Sequence, residues 1–377
     1  MKYQSNQKPT AVFFSNPFGY GPTGTAIALM ETLFEKWPGQ IIYAASRFCL
    51  EPFQKINDHK LKVFELDERN FKTVTDFLRS IPNPYVVSSL NRFSLKAAHF
   101  LNIPSAFIDI LTWFWQKIPD DYLLADYYFC PNLPGTEEKI KDLPQLSKII
   151  LVPAVLGTLP SIKCKRKKKF ILVHIGGCLN PLYQGLPIAY LRLLTEVLNK
   201  QKLNQKIFIT GGHMALQFIE KRLKKKNVFC CSFSRKEFLE KLGQTNLFIT
   251  TAGQAATLEA FALNTPTSFL PPTNLSQWAL ANLLTKYKAA PNRVMLEEFI
   301  TPRVNLQNLS EKEGLILFSK YYQKIADDKN LRNKYTEMVF YLLDKIPENK
   351  EQQLFINKIG VNGAEVIVNE LQKRWSF

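Results

Sequence analysis

The sequence lacks the features that mark several classes of protein. Its six cysteines include no C-x-x-C pair and are accompanied by only four histidines, so we expect no structural zinc site and no other bound metal. Nothing near the first residues resembles a signal peptide, and no charge-free apolar run is long enough to span a bilayer. Scattered free thiols are typical of a reducing compartment. Together these absences predict a cytoplasmic protein.

Acidic residues are also scarce relative to basic ones. The chain has 32 Asp and Glu against 49 Lys and Arg, a net charge of +17, with dense basic runs at 163–169 and 221–226. No nucleic-acid-binding motif accompanies them, so nucleic acid is not an expected partner. The charge favours anionic substrates or peripheral association with an anionic membrane. A basic face that is simply solvated is the alternative.

The pattern of apolar residues predicts the fold. Hydrophobic residues make up 46% of the 377 residues, which is enough for two buried cores. Short apolar runs alternate with amphipathic helical stretches, as in parallel sheets covered on both faces. The predicted strands are residues 10–15, 40–44, 61–66, 85–89, 105–110, 127–130 and 149–152, and then 170–175, 206–210, 227–231, 247–250 and 267–270.

A break in this pattern separates two domains. Residues 153–169 contain Pro153, Gly157, Pro160 and six basic residues, a composition that suits an exposed linker. The sequence therefore predicts an α/β chain of two Rossmann-like, doubly wound domains. Their predicted bounds are 1–155 for the first domain, 156–169 for the basic linker, 170–350 for the second domain and 351–377 for a C-terminal helix.

The most specific segment is FITTAGQAATLEA, from Phe248 to Ala260. It reads as a buried strand, a turn of small residues and a helix. Small side chains let an anionic ligand approach the backbone N–H groups, and the helix N-terminus adds about half a positive charge. Glu259 lies further along the helix, where its carboxylate could accept hydrogen bonds from a ribose. Ordinary packing of the helix on the strand is the alternative.

The segment FLPPTNLSQ, from Phe269 to Gln277, strengthens this interpretation. It is a strand followed by prolines and an amide-rich helix start, and its amides and hydroxyls suit the hydroxyls of a sugar. A helix N-cap at Asn274 or Thr273 is the alternative.

These two segments resemble the donor-binding signature of the GT-B glycosyltransferases that use UDP-sugars. That family includes the UDP-glycosyltransferases and the N-acetylglucosaminyltransferase of peptidoglycan lipid synthesis. The matching positions are Gly253 to Glu259, Pro266, Pro271, Gln277 and Asn282. The resemblance implies two domains facing a cleft, with the acceptor in the first domain, the nucleotide sugar in the second, and the last helix returning to the first. It further implies inverting transfer from a UDP-sugar donor to an unidentified acceptor, with no metal and no other cofactor.

The resemblance also implies roles for individual residues of the second domain. By this resemblance, the diphosphate lies along Ala252 to Thr257 and Glu259 holds the ribose. Phe233 lies where proteins of the family contact the nucleotide base. His213 follows a strand and opens a helix, which suits contact with a phosphate. The predicted donor contacts here are Gly176, Gly177, His213, Phe233, Ala252, Gly253, Gln254, Ala255, Ala256, Thr257, Glu259, Asn274, Ser276 and Gln277.

A glycine-rich loop follows the first predicted strand, at residues 16–25. Gly19, Gly21 and Thr23 are candidate ligand contacts because the glycines leave room against backbone N–H groups; a structural turn is the alternative. The loop is similar to that of proteins related to cytosylglucuronate synthase. Inverting members of the GT-B family often carry a histidine base here, whereas this chain has Pro22 or Thr23.

Asp109 is the predicted catalytic residue, because a base is needed on the acceptor side. It ends the predicted strand 105–110, and the aromatic run LTWFW follows close behind. The alternative is that Asp109 caps a turn while Trp113 and Trp115 fill the core. Two other functions stay open: a nucleotide-sugar hydrolase or epimerase on the same fold, and a non-catalytic nucleotide-sugar-binding protein, which the missing histidine favours.

Overall fold

The computed structural model describes residues 8–55, 59–144, 146–160, 170–179, 185–300 and 305–375. The chain divides into two compact units. The first unit comprises Met1–Thr158 and Ile359–Phe377, and the second comprises Leu159–Lys358. Each unit contains one sheet of parallel strands connected by helices, so the predicted α/β fold with two doubly wound sheets is confirmed.

The first unit contains a seven-stranded sheet, in the order β3-β2-β1-β4-β5-β6-β7. Its strands are β1 (Thr10–Ser15), β2 (Gln40–Ala45), β3 (Leu61–Glu65), β4 (Pro84–Ser89), β5 (Ser105–Ile108), β6 (Tyr127–Pro131) and β7 (Ile149–Val152). The helices between them are α1 (Gly21–Leu33), α2 (Arg47–Leu50), α3 (Phe71–Arg79), α4 (Arg92–Leu101) and α5 (Thr136–Ile140).

Alternation along each strand fills two cores in this unit. Ala11 and Phe13 of β1 join the larger core, whereas Val12 and Phe14 join a smaller core with Val74 and other apolar residues. Because successive side chains of a strand point to opposite faces, both faces of the sheet are covered. This explains why the strands read as continuous apolar runs in the sequence.

The second unit contains a five-stranded sheet in the order β10-β9-β8-β11-β12. Its strands are β8 (Phe170–His174), β9 (Lys206–Thr210), β10 (Val228–Cys230), β11 (Leu247–Thr250) and β12 (Thr267–Phe269). Its helices are α6 (Ile188–Lys200), α7 (His213–Glu220), α8 (Arg235–Gln244), α9 (Gln254–Ala262), α10 (Leu275–Lys286), α11 (Glu311–Asp327), α12 (Lys329–Asp344) and α13 (Lys350–Ile359).

The chain re-enters the first unit after α13. Gly360, with a positive φ of +79°, follows α13 as glycine commonly follows a helix end, and α14 (Gly363–Trp375) then packs on the first unit. The ring of Trp375 lies 6.3 Å from that of Trp37 and 5.0 Å from that of Tyr85. The return therefore begins at residue 359 and not at 351, because α13 belongs to the second unit. Within the described ranges, no helix is long and apolar enough to cross a membrane.

Candidate functional site

The strand order of the second unit identifies where a ligand should bind. From β8 the chain adds β9 and β10 on one side, and then β11 and β12 on the other. Open parallel sheets bind ligands at the carboxyl ends of the strands where the order reverses, which here is between β8 and β11. The turns that follow these two strands are Gly176-Gly177 and Ala252-Gly253, the two turns that the sequence predicts as donor contacts.

Glycines let the neighbouring loops approach closely at this point. Gly176 adopts a φ of +67°, and its carbonyl accepts a hydrogen bond from the N–H of Gly212 at 2.9 Å. A Cβ atom on Gly212 would overlap the carbonyl of Gly177. The first turn of α7 is thereby held against the turn after β8, and His213 opens that helix with an exposed side chain.

The start of α9 is suited to bind an anion. Its N-cap residue, Gly253, makes no side-chain capping hydrogen bond. Helices leave the N–H groups of the first turn without partners inside the helix, and the dipole adds positive potential there. Ala255 and Ala256 supply such N–H groups and carry side chains too small to cover them. N–H groups of this kind bind anions in other proteins, and the diphosphate position at α9 stays a prediction.

Glu259 is buried in α9 and paired with a cation that the sequence analysis missed. Its side chain is 4% exposed, and its Oε1 lies 2.9 Å from Nη1 of Arg235. Arg235 is the first residue of α8, a helix that begins with a capping box between Ser234 and Glu237 and follows the half-buried Phe233. The ion pair fixes the Glu259 carboxylate through Oε1. No sequence spacing indicates this pair, because it joins two helices.

The turn after β12 is organised by helix capping, the alternative noted from sequence. Asn274 Oδ1 accepts hydrogen bonds from the N–H of Gln277 at 2.9 Å and from the hydroxyl of Ser276 at 3.0 Å. Gln277 Oε1 accepts from the N–H and hydroxyl of Thr273 at 2.8 and 3.0 Å. Within the part of the chain that the structure describes, no acceptor is seen for the amide nitrogens of Asn274 and Gln277, which leaves them as donors for a ligand. The sugar-contact prediction therefore rests on these nitrogens.

Glu311 adds a carboxylate to this turn. Its Oε1 accepts from the hydroxyl of Ser276 at 3.4 Å, and burial raises the pKa of Glu311 to about 7. The sequence analysis missed it because Glu311 opens α11, far along the chain from Ser276.

His174 lies at the end of β8, beside the strand-order reversal. Its Nδ1 is 3.2 Å from Oγ1 of Thr250, and its ring stacks on Phe248 with centroids 6.2 Å apart. Burial lowers the pKa of His174 to about 4, so the ring is neutral at pH 7.

The first unit has its own reversal of strand order, between β1 and β4. The loop after β1 bends at Gly19, whose φ is +61°, and Tyr20 is the N-cap of α1 without a side-chain capping bond. Gly21 opens the helix, but Thr23 is fully buried and its hydroxyl lies 3.1 Å from that of Ser15. The side chain of Thr23 thus points into the core, and only its backbone could contact a ligand.

Asp109 is enclosed to a degree that the sequence did not indicate. It is fully buried. Its Oδ1 accepts from the N–H of Leu111 at 2.8 Å, and its Oδ2 accepts from Nε1 of Trp115 at 2.9 Å and from the hydroxyl of Tyr128. Burial raises the pKa of Asp109 to about 6. Both oxygens are occupied, so this geometry favours the turn-organising alternative, while the catalytic role stays a prediction.

The predicted residues thus fall into two groups. The second unit carries the predicted contacts from Gly176 to Gln277, which follow the carboxyl ends of its strands. The first unit carries Gly19, Gly21, Thr23 and Asp109. Of the basic runs, 221–226 is a largely exposed connection before β10, whereas 163–169 lies outside the described residues. Association with an anionic membrane stays a prediction.

Comparison with known proteins gives the fold. No family model and no curated protein matches the sequence. Solved structures do match over almost the whole chain. The UDP-GlcNAc 2-epimerase of Neisseria meningitidis bound to UDP-GlcNAc matches with a TM-score of 0.55 and 14% identity, covering 97% of this chain and 100% of the other. MurG of Acinetobacter baumannii matches with a TM-score of 0.51 and 14% identity, covering 97% and 99%.

A plant enzyme shares the same architecture. Arabidopsis thaliana UGT89C1 complexed with UDP matches with a TM-score of 0.52 and 13% identity, covering 97% of this chain and 100% of the other. This chain has the GT-B fold. Among GT-B proteins it is similar both to glycosyltransferases and to UDP-GlcNAc 2-epimerases. At such low identity the likeness establishes the fold and leaves the reaction to the residues of the site.

Proposed function

We propose that this GT-B protein transfers a sugar from a UDP-sugar to an acceptor hydroxyl, with the donor bound by the second unit. One observation carries the proposal: the small-residue turn Ala252-Gly253 and the start of α9 lie where the strand order of the sheet reverses. UDP and UDP-GlcNAc are bound by proteins of this fold. Glu259, on the same helix, offers Oε2 to a ribose hydroxyl.

The chemistry proposed for this site is stabilisation of a leaving group. When the bond between the sugar and UDP breaks, negative charge grows on the diphosphate. The N–H groups of Ala255 and Ala256 and the dipole of α9 would stabilise that charge. Because these groups are held by the backbone, they need no reorganisation as the charge develops. The proposed transfer therefore requires no metal ion.

The second candidate is a nucleotide-sugar epimerase or hydrolase. The similarity to UDP-GlcNAc 2-epimerases favours it, and the same diphosphate site would serve it. A binding protein without catalysis is the third candidate. All three require that UDP binds to the second unit, and they differ in the fate of the donor.

Two measurements test the proposal. Calorimetry with UDP should show binding that Glu259→Gln weakens by about 1–3 kcal/mol, the usual cost of an unsatisfied polar contact. Glu240→Gln, which alters an exposed glutamate on α8, is the matched control and should bind UDP normally. Failure of the intact protein to bind UDP would remove all three candidates.

Product analysis with a panel of UDP-sugars then separates the reactions. Transfer predicts UDP release that increases when a cell extract is added as the source of acceptor, together with a new glycoside. Hydrolysis would release UDP at the same rate without extract. Epimerisation would change the sugar, and a binding protein would leave the donor intact.

A further inference from the structure

The second unit carries a dense group of cations. Five of the six residues from 221 to 226 are basic, and residues 200–226 contain eight lysines and arginines but a single acidic residue, Glu220. Lys200 lies 3.9 Å from Glu196, whereas no salt bridge to the other lysines of this group is seen among the residues that the structure describes. Nearly all of these side chains are exposed, so the charge of the group faces outwards.

Two asparagines fix the backbone that carries these cations. Asn199 Nδ2 donates to the carbonyl of Arg222 at 2.9 Å, and Asn199 Oδ1 accepts from the N–H of Lys224 at 2.7 Å. Asn227 Nδ2 donates to two carbonyls of the connection 201–205, each at 2.9 Å. The connection after α6 and the connection before β10 therefore form one surface. We call it the basic platform, and its cations are Lys200, Lys202, Lys206, Lys221, Arg222, Lys224, Lys225 and Lys226.

The basic platform lies at the edge of the sheet opposite the proposed donor site. Lys206 is the first residue of β9, and the segment 221–226 leads into β10. The N–H of Ile207 donates to the carbonyl of Asn227 at 2.9 Å, so the two strands begin side by side. Parallel strands begin at one edge of a sheet and rise about 3.3 Å per residue, which puts the platform about 15 Å from the turns at the carboxyl ends. The phosphates of a donor therefore do not account for these cations.

The chemistry of the platform fits a surface of anionic lipids. Seven of its eight cations are lysines, which act as point charges on flexible side chains, whereas arginine makes the paired hydrogen bonds typical of nucleic acid recognition. Phe229 adds an exposed ring on the edge strand β10, close behind the segment 221–226. Polybasic clusters of about this size bind anionic headgroups. A second copy of this chain, with its net charge of +17, would be repelled.

We propose that the basic platform binds an anionic membrane surface and holds the second unit on it peripherally. The ammonium groups of the platform approach the charged headgroups, and the ring of Phe229 enters the headgroup region. The donor site, at the opposite edge of the sheet, stays open to water. The proposal uses no residue of the donor site and is independent of the reaction that occurs there.

Sedimentation with vesicles tests the proposal on the full chain. One set of vesicles is phosphatidylcholine alone, and the other contains one third phosphatidylserine. The intact protein should bind the mixed vesicles and not the neutral ones. Binding should weaken steeply with added salt, because the screening length falls from about 10 Å at 0.1 M to about 3 Å at 1 M.

Substitution of four lysines tests whether the platform is the surface that binds. Changing them to glutamine should lower the binding constant for mixed vesicles by at least about 100-fold, since each lysine near an anionic surface contributes about fivefold. The substitutions are Lys221→Gln, Lys224→Gln, Lys225→Gln and Lys226→Gln. Arginine at the same four positions keeps the charge and should preserve binding. Circular dichroism checks that each variant is folded.

A matched control removes the same net charge from exposed lysines of the first unit. Its substitutions are Lys62→Gln, Lys72→Gln, Lys139→Gln and Lys141→Gln. This variant should retain most of the binding to mixed vesicles, because its platform is intact. An equal loss in the control would assign the attraction to net charge and overturn the role of the platform.

Other outcomes also overturn the proposal. The intact protein fails the test if it binds neither kind of vesicle or binds both equally. A folded glutamine variant of the platform that binds mixed vesicles as tightly as the intact protein is equally decisive. Duplex RNA at the same phosphate concentration is the competitor. If it binds more tightly than the vesicles, and the glutamine variant loses that binding, the partner is a nucleic acid and not a membrane.

Discussion

Among single residues, Asp109 shows how a buried carboxylate can organise a turn. Its oxygens accept hydrogen bonds from the N–H of Leu111, the indole N–H of Trp115 and the hydroxyl of Tyr128. Three donors on one carboxylate hold the aromatic run after β5 in place. Its negative charge is then stabilised by these hydrogen bonds, since burial alone would raise its pKa further.

Removal of one donor should therefore destabilise the first unit. We expect Tyr128→Phe to lower the free energy of unfolding at pH 8 by about 1–3 kcal/mol, since a charged buried group loses a hydrogen bond. The loss should shrink near pH 4, where Asp109 takes up a proton. Urea unfolding at the two pH values measures both effects. Tyr127→Phe, the neighbouring tyrosine of β6, is the control; an equal loss there would contradict this account.

His174 should make the second unit sensitive to acid. Its pKa falls from 6.5 to about 4 on burial, so the unfolded chain binds a proton between these values that the folded chain does not. The contribution of the neutral His174 ring to the free energy of unfolding is therefore fully present above pH 6.5. As the pH falls towards 4, this contribution is lost, which lowers the free energy of unfolding by about 3 kcal/mol. We expect His174→Asn to remove most of this slope in urea unfolding between pH 4 and 7. An unchanged slope would assign the acid sensitivity to other groups.

Among the secondary-structure elements, the first turn of α8 and the second turn of α9 are joined by the ion pair of Arg235 and Glu259. Both side chains are largely buried, at 13% and 4% exposed. Breaking a buried ion pair leaves an uncompensated charge and typically costs about 3–5 kcal/mol, whereas apolar replacement of both partners is often tolerated. Single and double substitutions of this pair can therefore separate its effect on stability from its effect on ligand binding.

We expect Arg235→Met to lower the free energy of unfolding by about 3–5 kcal/mol. Adding Glu259→Leu to that variant should restore much of the stability without restoring UDP binding, because the double variant has no carboxylate for the ribose. Thermal unfolding and calorimetry with UDP give the two readouts. A stable double variant that binds UDP as tightly as the natural chain would disprove the ribose role of Glu259.

The elements themselves could be predicted closely from the sequence. Strands β1, β7, β9 and β11 have the predicted bounds, because continuous apolar runs bounded by turn residues define them. The strand predicted at 105–110 ends at Ile108, since Asp109 turns its backbone towards the following loop. The pair of Arg235 and Glu259 could not be predicted. Tertiary packing alone brings those partners together, and neither their spacing in the sequence nor its composition indicates the contact.

Over the whole molecule, the first unit is built from two separate stretches of chain. The N–H of Gly363 donates to the carbonyl of Ala154 at 3.0 Å, and the N–H of Ala154 donates to the carbonyl of Gly360 at 3.1 Å. Lys36 Nζ donates to Oδ1 of Asn369 at 2.7 Å. The second stretch is thus attached by backbone hydrogen bonds where it enters and by side chains along α14.

Gly363 should be intolerant of any side chain. A Cβ atom there would overlap the carbonyl oxygen of Pro153, so we expect Gly363→Ala to lower the free energy of unfolding by about 1–3 kcal/mol, the usual cost of overpacking. Gly24→Ala is the control, because a Cβ atom on Gly24 meets nothing within 4 Å and alanine favours a helix. Equal stability of the two variants in urea would refute the tight docking of α14.

The divided first unit has a consequence for synthesis on the ribosome. Domains usually fold as they emerge, the N-terminal one first. Here the first unit is missing α14 until Leu159–Lys358 have been translated, so the apolar surface around Trp37 and Tyr85 stays uncovered while the second unit is made. The part of the chain that is synthesised first is therefore the part that completes its folding last, and its exposed surface is where a chaperone would be needed.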